Sequence, residues 1–140
     1  DFTAIKLIRA AGVPVCFLSG DDRVNKAMAE NRNIRFFSAR GKDKADFLPE
    51  LSREYGVSPN EMGYVGDDLF DLSIMERVGY KFCPSDASSF ILDLCGKNNT
   101  INRTAGCNVI AKLVDILLDR NLIQMPTMKA IEDLDKNETF

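Results

Sequence analysis

The sequence predicts an α/β fold: a parallel sheet covered on both faces by helices, in a three-layer α/β/α, Rossmann-like arrangement. Two patterns and one placement point there. Short apolar runs alternate along the chain with stretches of helical periodicity. Those runs are continuously apolar, as befits strands buried on both faces, and not the in-out alternation of a half-exposed sheet. Small and acidic residues, Ser19-Gly20 and Asp67-Asp68, follow two of the runs, where open α/β sheets bind ligands.

Taken in order, Ile5, Leu7, Ile8 and Ala11 lie near helical spacing and stop at Gly12, a residue suited to a helix C-terminus. Val13-Pro14-Val15-Cys16-Phe17-Leu18 reads as the first strand, and Ser19-Gly20-Asp21-Asp22 as a turn into a helix from Val24 to about Asn31. Asn33 to Phe37 is the second strand. After a loop from Ser38 to Lys42, Asp43 opens a helix carrying Ala45, Phe47, Leu48, Leu51 and Tyr55. Pro49 fits only if it lies in that helix's first turn, since a mid-helix proline costs about 3 kcal/mol.

Gly56 and Ser58-Pro59-Asn60-Glu61 punctuate the chain before the third strand, Met62 to Gly66. Leu69 to Val78 is expected as a helix ending at Gly79, Tyr80 to Cys83 as the fourth strand, and Asp86 to Cys95 as a helix. A brief extended piece at Thr100-Ile101 precedes a helix whose apolar stripe is Val109, Ile110, Leu113, Ile116 and Leu117. The chain is polar from Gln124 and interrupted at Pro126. The division expected is one domain over 1–122, without internal repeat or linker, and a C-terminal tail over 123–140 that is either loose or a contact arm.

Composition narrows the function classes. At 140 residues, 45% hydrophobic and 28% charged, the chain suits one globular domain. A net charge of −3 and the lack of a basic cluster argue against nucleic acid and against a membrane surface. No apolar run approaches the roughly 20 residues of a membrane span. The four cysteines form no C-x-x-C pair and histidine is absent, which disfavours zinc. Reduced thiols in a cytoplasmic protein are expected.

The strand ends offer three candidate pieces. In Gly66-Asp67-Asp68-Leu69-Phe70-Asp71, three carboxylates fall within five residues after a strand. Crowded carboxylates repel one another unless a cation compensates, and hard oxygen donors favour Mg²⁺, which takes one or two carboxylates plus phosphate and water. The plainer alternative is a helix N-terminus furnished with acids to suit its dipole, a description that Asp68 and Asp71 also satisfy. Ser19 and Gly20 offer a hydroxyl and backbone N–H groups to a phosphate oxygen, although a serine cap accounts for them as well. Lys44 offers a cation to an anionic substrate, or is an ordinary surface lysine.

In this order the pieces resemble the haloacid dehalogenase superfamily, specifically the branch containing 3-deoxy-manno-octulosonate 8-phosphate phosphatase and the C-terminal domain of some acylneuraminate cytidylyltransferases. Phe17-Leu18-Ser19-Gly20, Asp43-Lys44, Tyr64-Val65-Gly66-Asp67-Asp68 with Asp71, Val78-Gly79 and Pro84-Ser85-Asp86-Ala87 carry the resemblance, which runs from Asp1 to about Leu118.

It implies a magnesium-dependent phosphatase of a phosphorylated sugar acid, without a large cap domain, assembled as a homo-oligomer and typically a tetramer. Ser19 and Gly20 would bind the phosphoryl group, Lys44 would neutralise its charge, Asp67 and Asp68 would hold Mg²⁺, and Asp71 would support the metal or orient Lys44. The family's nucleophile is the first aspartate of a D-x-D motif at a strand end. It should lie upstream of Asp1, so these residues alone are expected to be inactive.

Departures from the pattern occur at Asp1-Phe2-Thr3-Ala4-Ile5, where the family commonly has D-G-x-G-I, and at Asp21, where it usually has arginine. A third lies at Arg103 to Val109, where a G-R-G element is lost. These leave the metal site intact and put the substrate in question. A non-catalytic domain behind a cytidylyltransferase is the alternative function. A receiver-like phospho-acceptor is a further one, although a receiver gathers its acidic pair after the first strand.

Overall fold

The computed structural model describes residues 1–137. Its chain forms two compact units: Asp1–Gly41 together with the segment from Leu113 onward, and Lys42–Lys112. Both are α/β with parallel strands.

In the first unit, α1 (Phe2–Ala10) buries Ala4, Ile5 and Ile8, while Arg9 near its end donates to the carbonyls of Arg32 and Asn33. Gly12 takes a φ of +92°, and the Val13 amide closes back on the Ile8 carbonyl. This turn and Pro14, which has no N–H to donate, delay the ladder. Strand β1 therefore spans Cys16–Ser19, shorter than the apolar run suggests. It pairs in parallel with β2 (Arg35–Ser38), Ser19 opposite Ser38, and the crossover between them is α2 (Val24–Asn31).

The second unit opens with a 3₁₀ turn, Lys44–Phe47, in which the Asp43 carboxylate caps the amide of Ala45 at 2.9 Å. Helix α3 (Leu48–Tyr55) follows, with Pro49 in its first turn where a missing N–H costs nothing, and Gly56 closes it in the left-handed conformation. Strands β3 (Gly63–Val65), β4 (Tyr80–Pro84) and β5 (Thr100–Ile101) form a parallel three-stranded ladder in that order.

Between β3 and β4 the expected long helix is a 3₁₀ turn, Leu69–Asp71, and a short α4 (Leu72–Met75). The turn is tight because the Asp71 carboxylate folds back onto the amides that precede it. Helix α5 (Ser89–Cys95) links β4 to β5. Ile74, Met75, Cys83, Ile91 and Ile101 are fully buried and form the centre of this unit's core. Burial stabilises each aliphatic side chain by about 1.5–3 kcal/mol.

Helix α6 (Val109–Asp119) buries Val109, Leu113 and Val114. The stretch read as a tail contains a further helix, α7 (Met128–Asp135), capped by Thr127 and packed on α1 within the first unit. The Lys6 ammonium meets the Asp135 carboxylate at 2.5 Å, and the Asn33 side-chain amide donates to the Asn137 carbonyl. Residues 138–140 of the expected tail lie outside the described residues. No helix among the described residues is long and apolar enough to cross a membrane.

Candidate active site

The acidic turn after β3 is organised around one buried carboxylate. Asp71 is only 4% exposed. Its Oδ2 accepts the backbone N–H groups of Asp67 and Asp68, each at 3.1 Å, and its Oδ1 accepts from Lys44 Nζ and from the Tyr64 hydroxyl, each at 2.6 Å. A carboxylate offers about four lone-pair positions, and here all four are engaged. Burial alone would raise the pKa of Asp71, but these donors and the Lys44 charge outweigh it and hold the group below the usual carboxylate range.

Such proximity requires Gly66. A Cβ there would fall 2.8 Å from Asp71, closer than real side chains approach. The Asp68 carboxylate turns the other way and accepts from the Phe70 amide at 2.9 Å, forming with Asp71 a reciprocal cap on the 3₁₀ turn. The helix-capping alternative weighed for these two residues thus describes part of what they do.

Asp67 is different. It is exposed at the tip of the turn, and its carboxyl pKa is raised, first by partial desolvation and then by the charges of Asp71, Asp68 and Asp86. A carboxylate held among carboxylates is the member of this group that a cation would relieve most. Asp67 together with Asp68 fits Mg²⁺, which needs no more than one or two protein carboxylates when phosphate and water complete its shell. Among the described residues no group of three or more Cys, His, Asp or Glu side chains is gathered for a metal.

Lys44 is held with its side chain 16% exposed, away from the mobile surface existence of most lysines. The preceding Asp43 anchors the same segment: its carboxylate accepts from the Ala45 amide and from the Ser73 hydroxyl, which keep its pKa low. The structure therefore brings Lys44, Asp67, Asp68 and Asp71 into one network.

Ser19 and Gly20 belong to the first unit. Ser19 Oγ accepts from the Asp21 amide and from the Asn25 side-chain amide, each at 3.1 Å. Helix α2 starts only at Val24 and has no side-chain cap, so Ser19 is not its cap. Close by, Ser38 Oγ donates to Asp22, which also pairs with Arg40 at 3.6 Å. Gly20, Asp21, Asp22, Arg23 and Arg40 line an open cavity of about 580 Å³.

Sequence reasoning missed Tyr64 and Ser73. The signal for Tyr64 was available: a phenol near the end of a short strand, just before an acidic turn, is well placed to donate into it.

Among curated proteins the chain is 24% identical over 119 residues to 3-deoxy-D-manno-octulosonate 8-phosphate phosphatase from Haemophilus influenzae, covering 84% of this chain and 65% of that protein. The chain spans 65% of that relative's length and 36% of the length of the corresponding Escherichia coli phosphatase, to which it is 30% identical over 70 residues. No family model matches the chain.

Among solved structures, a HAD superfamily (subfamily III A) hydrolase from Legionella pneumophila superposes with a TM-score of 0.78 at 23% identity, over 97% of this chain and 72% of that one. The 3-deoxy-D-manno-octulosonate 8-phosphate phosphatase from Moraxella catarrhalis, in complex with magnesium ion, phosphate ion and KDO, gives 0.72 at 17% identity over 95% and 70% of the two chains. At such identities the structural likeness speaks for the fold. The homologues and structural neighbours of this chain are thus haloacid dehalogenase superfamily phosphatases of the 3-deoxy-manno-octulosonate 8-phosphate type, and the chain has their α/β fold with parallel strands.

Proposed function

We propose that this chain belongs to a magnesium-dependent phosphoric monoester hydrolase acting on a phosphorylated sugar acid, such as 3-deoxy-manno-octulosonate 8-phosphate. The observation that carries the reading is the buried Lys44–Asp71 pair tied at 2.6 Å to the turn that presents Asp67 and Asp68. A structural helix cap has no use for a lysine drawn into it, whereas phosphate transfer needs a fixed cation beside a metal-binding carboxylate.

Each residue then has a task. Lys44 keeps two N–H groups beyond the one given to Asp71, and these would meet the charge of the phosphoryl group. Within the first unit, both hydrogen bonds of Ser19 Oγ are as acceptor, which leaves its hydroxyl proton for an anion's oxygen, the role that the resemblance gives Ser19 and Gly20. Asp67, helped by Asp68, would hold Mg²⁺, and Asp71 keeps the turn and the lysine in place. Magnesium there would supply charge neutralisation at the phosphoryl oxygens.

Among the described residues no strand ends in D-x-D, so the reading assigns the family's nucleophile to residues outside this sequence. A cytoplasmic setting and self-association, to a tetramer as in the branch it resembles, complete the proposal.

Phosphate release from 3-deoxy-manno-octulosonate 8-phosphate with Mg²⁺ tests it. The 140-residue chain should release none. A form extended upstream by a D-x-D strand should turn over with magnesium, and Asp67→Ala should abolish that turnover while far-UV circular dichroism stays unchanged. Sustained magnesium-dependent turnover by the chain alone overturns the nucleophile assignment. Turnover surviving in extended Asp67→Ala overturns the metal assignment.

A further inference from the structure

We infer that Tyr64 is a positioning residue, whose phenol fixes the direction in which Lys44 presents its charge. The purpose of that direction rests on the phosphatase reading above; the geometry does not.

Three different elements converge on Asp71 Oδ1. Lys44 comes from the 3₁₀ turn before α3, Tyr64 from β3, and Asp71 itself from the turn before α4. Both donors reach the oxygen at 2.6 Å: the phenol bond has the length of a charge-assisted O–H···O⁻ bond, and the ammonium bond is at least as short as charge-assisted N⁺–H···O⁻ bonds are. The other oxygen is fully occupied by the amides of Asp67 and Asp68. Neither of those bonds can shift without distorting the backbone turn, so the plane of the carboxylate is fixed.

Once that plane is fixed, Oδ1 offers two lone-pair directions and has two donors. An ammonium group is a flexible donor that can approach a carboxylate oxygen from either direction. A phenol on a short strand is not: its ring is rigid and its oxygen has a single proton. Tyr64 therefore holds one direction, and Lys44 is confined to the other. The remaining N–H groups of Lys44 then point one way instead of being averaged over two.

A purely structural role would ask less of this residue. The ring of Tyr64 is half-buried, and packing alone is served by phenylalanine. What phenylalanine cannot do is occupy the lone pair. On this account Tyr64→Phe leaves the fold intact and frees the ammonium.

The test reads the Lys44 ammonium directly, on the chain as it stands. Side-chain ¹⁵Nζ spectra of ¹⁵N-lysine-labelled protein give a resolved signal for an ammonium held by hydrogen bonds, and Lys44→Met assigns it by loss of that peak. In Tyr64→Phe the Lys44 signal should shift, and its order parameter should fall by at least about a third, toward the values of mobile groups. Backbone amide spectra and the thermal midpoint serve as the folding control. Tyr80→Phe, at an exposed tyrosine on β4, should leave the Lys44 signal in place.

An unchanged Lys44 position and order in folded Tyr64→Phe overturns the assignment. Should Tyr64→Phe fail to fold, tyrosine ring packing would already require the hydroxyl for structure, and the positioning role is rejected. No turnover is measured, so a failure of the phosphatase reading and a failure of this one remain separate results.

Discussion

A Cβ built on Gly66 meets the Cβ, Cγ and Oδ2 of Asp71 at 2.8 Å, and one on Gly79 meets the carbonyl oxygen of Asn60 at 1.8 Å. At Gly66 the obstacle is a side chain, though one pinned by four hydrogen bonds. At Gly79 it is backbone, locked by the bond from the Gly79 amide to the Pro59 carbonyl at 3.0 Å. Overpacking a side chain costs about 1–3 kcal/mol, and more where only backbone can yield. Gly66→Ala should therefore lower stability by about 1–3 kcal/mol and Gly79→Ala by more than about 3 kcal/mol. Urea unfolding midpoints at unchanged m-value measure both, and a Gly66→Ala midpoint equal to wild type would contradict the packing described here. The sequence showed a glycine in a turn at both positions. It could not show that the space was claimed by a residue five positions on, or by a carbonyl from the 3₁₀ turn Pro59–Glu61, because such claims are made only by the folded chain.

Elements were more legible in kind than in extent. The parallel pairing of strands joined by helices followed from continuous apolar runs, yet β1 starts at Cys16 because Gly12 and Pro14 consume the first residues of its run. The helix expected over Leu69–Val78 shrinks to α4 because Asp71, counted as one acid among three, bends the chain onto itself. Helix α7 was hidden for a different reason: polar residues and Pro126 outweighed its periodicity, while its stability comes from α1, which it covers. Thr127 Oγ1 accepts the Ala130 amide at 3.2 Å and caps the helix. Thr127→Ala should cost about 1 kcal/mol. In an eight-residue helix that loss acts locally, so hydrogen exchange should quicken roughly fivefold in α7 amides while the amides of β3 and β4 keep their rates. Uniform acceleration throughout the chain would mean that α7 unfolds only with everything else.

At the scale of the whole molecule, a stability deficit localised at one carboxylate separates a ligand site from a structural turn. Asp71 has its negative charge answered by four donors, and one oxygen of Asp68 accepts the Phe70 amide as a cap. Asp67 has a raised pKa, first from partial desolvation and then from the charges of Asp71, Asp68 and Asp86. Asp67 lies near solvent, and screening keeps this repulsion modest. A raised carboxyl pKa in the folded chain means that the native state holds the proton longer than the unfolded one. This contribution to stability therefore falls as pH rises through the Asp67 range. Replacing the charge with a neutral amide should accordingly raise the thermal midpoint of the metal-free chain at neutral pH. Magnesium should do the same for the wild type by binding the folded state, worth about 2.7 kcal/mol at a hundredfold excess over its Kd. The two effects share one origin and so exclude each other: Asp67→Asn should be more stable than wild type without magnesium and indifferent to it, whereas Asp93→Asn, at an ordinary position on α5, should retain the full magnesium response. Differential scanning calorimetry with and without MgCl₂ measures all three proteins. A magnesium shift that persists in Asp67→Asn would move the metal away from this turn, and with it the chemical reason for holding three carboxylates together.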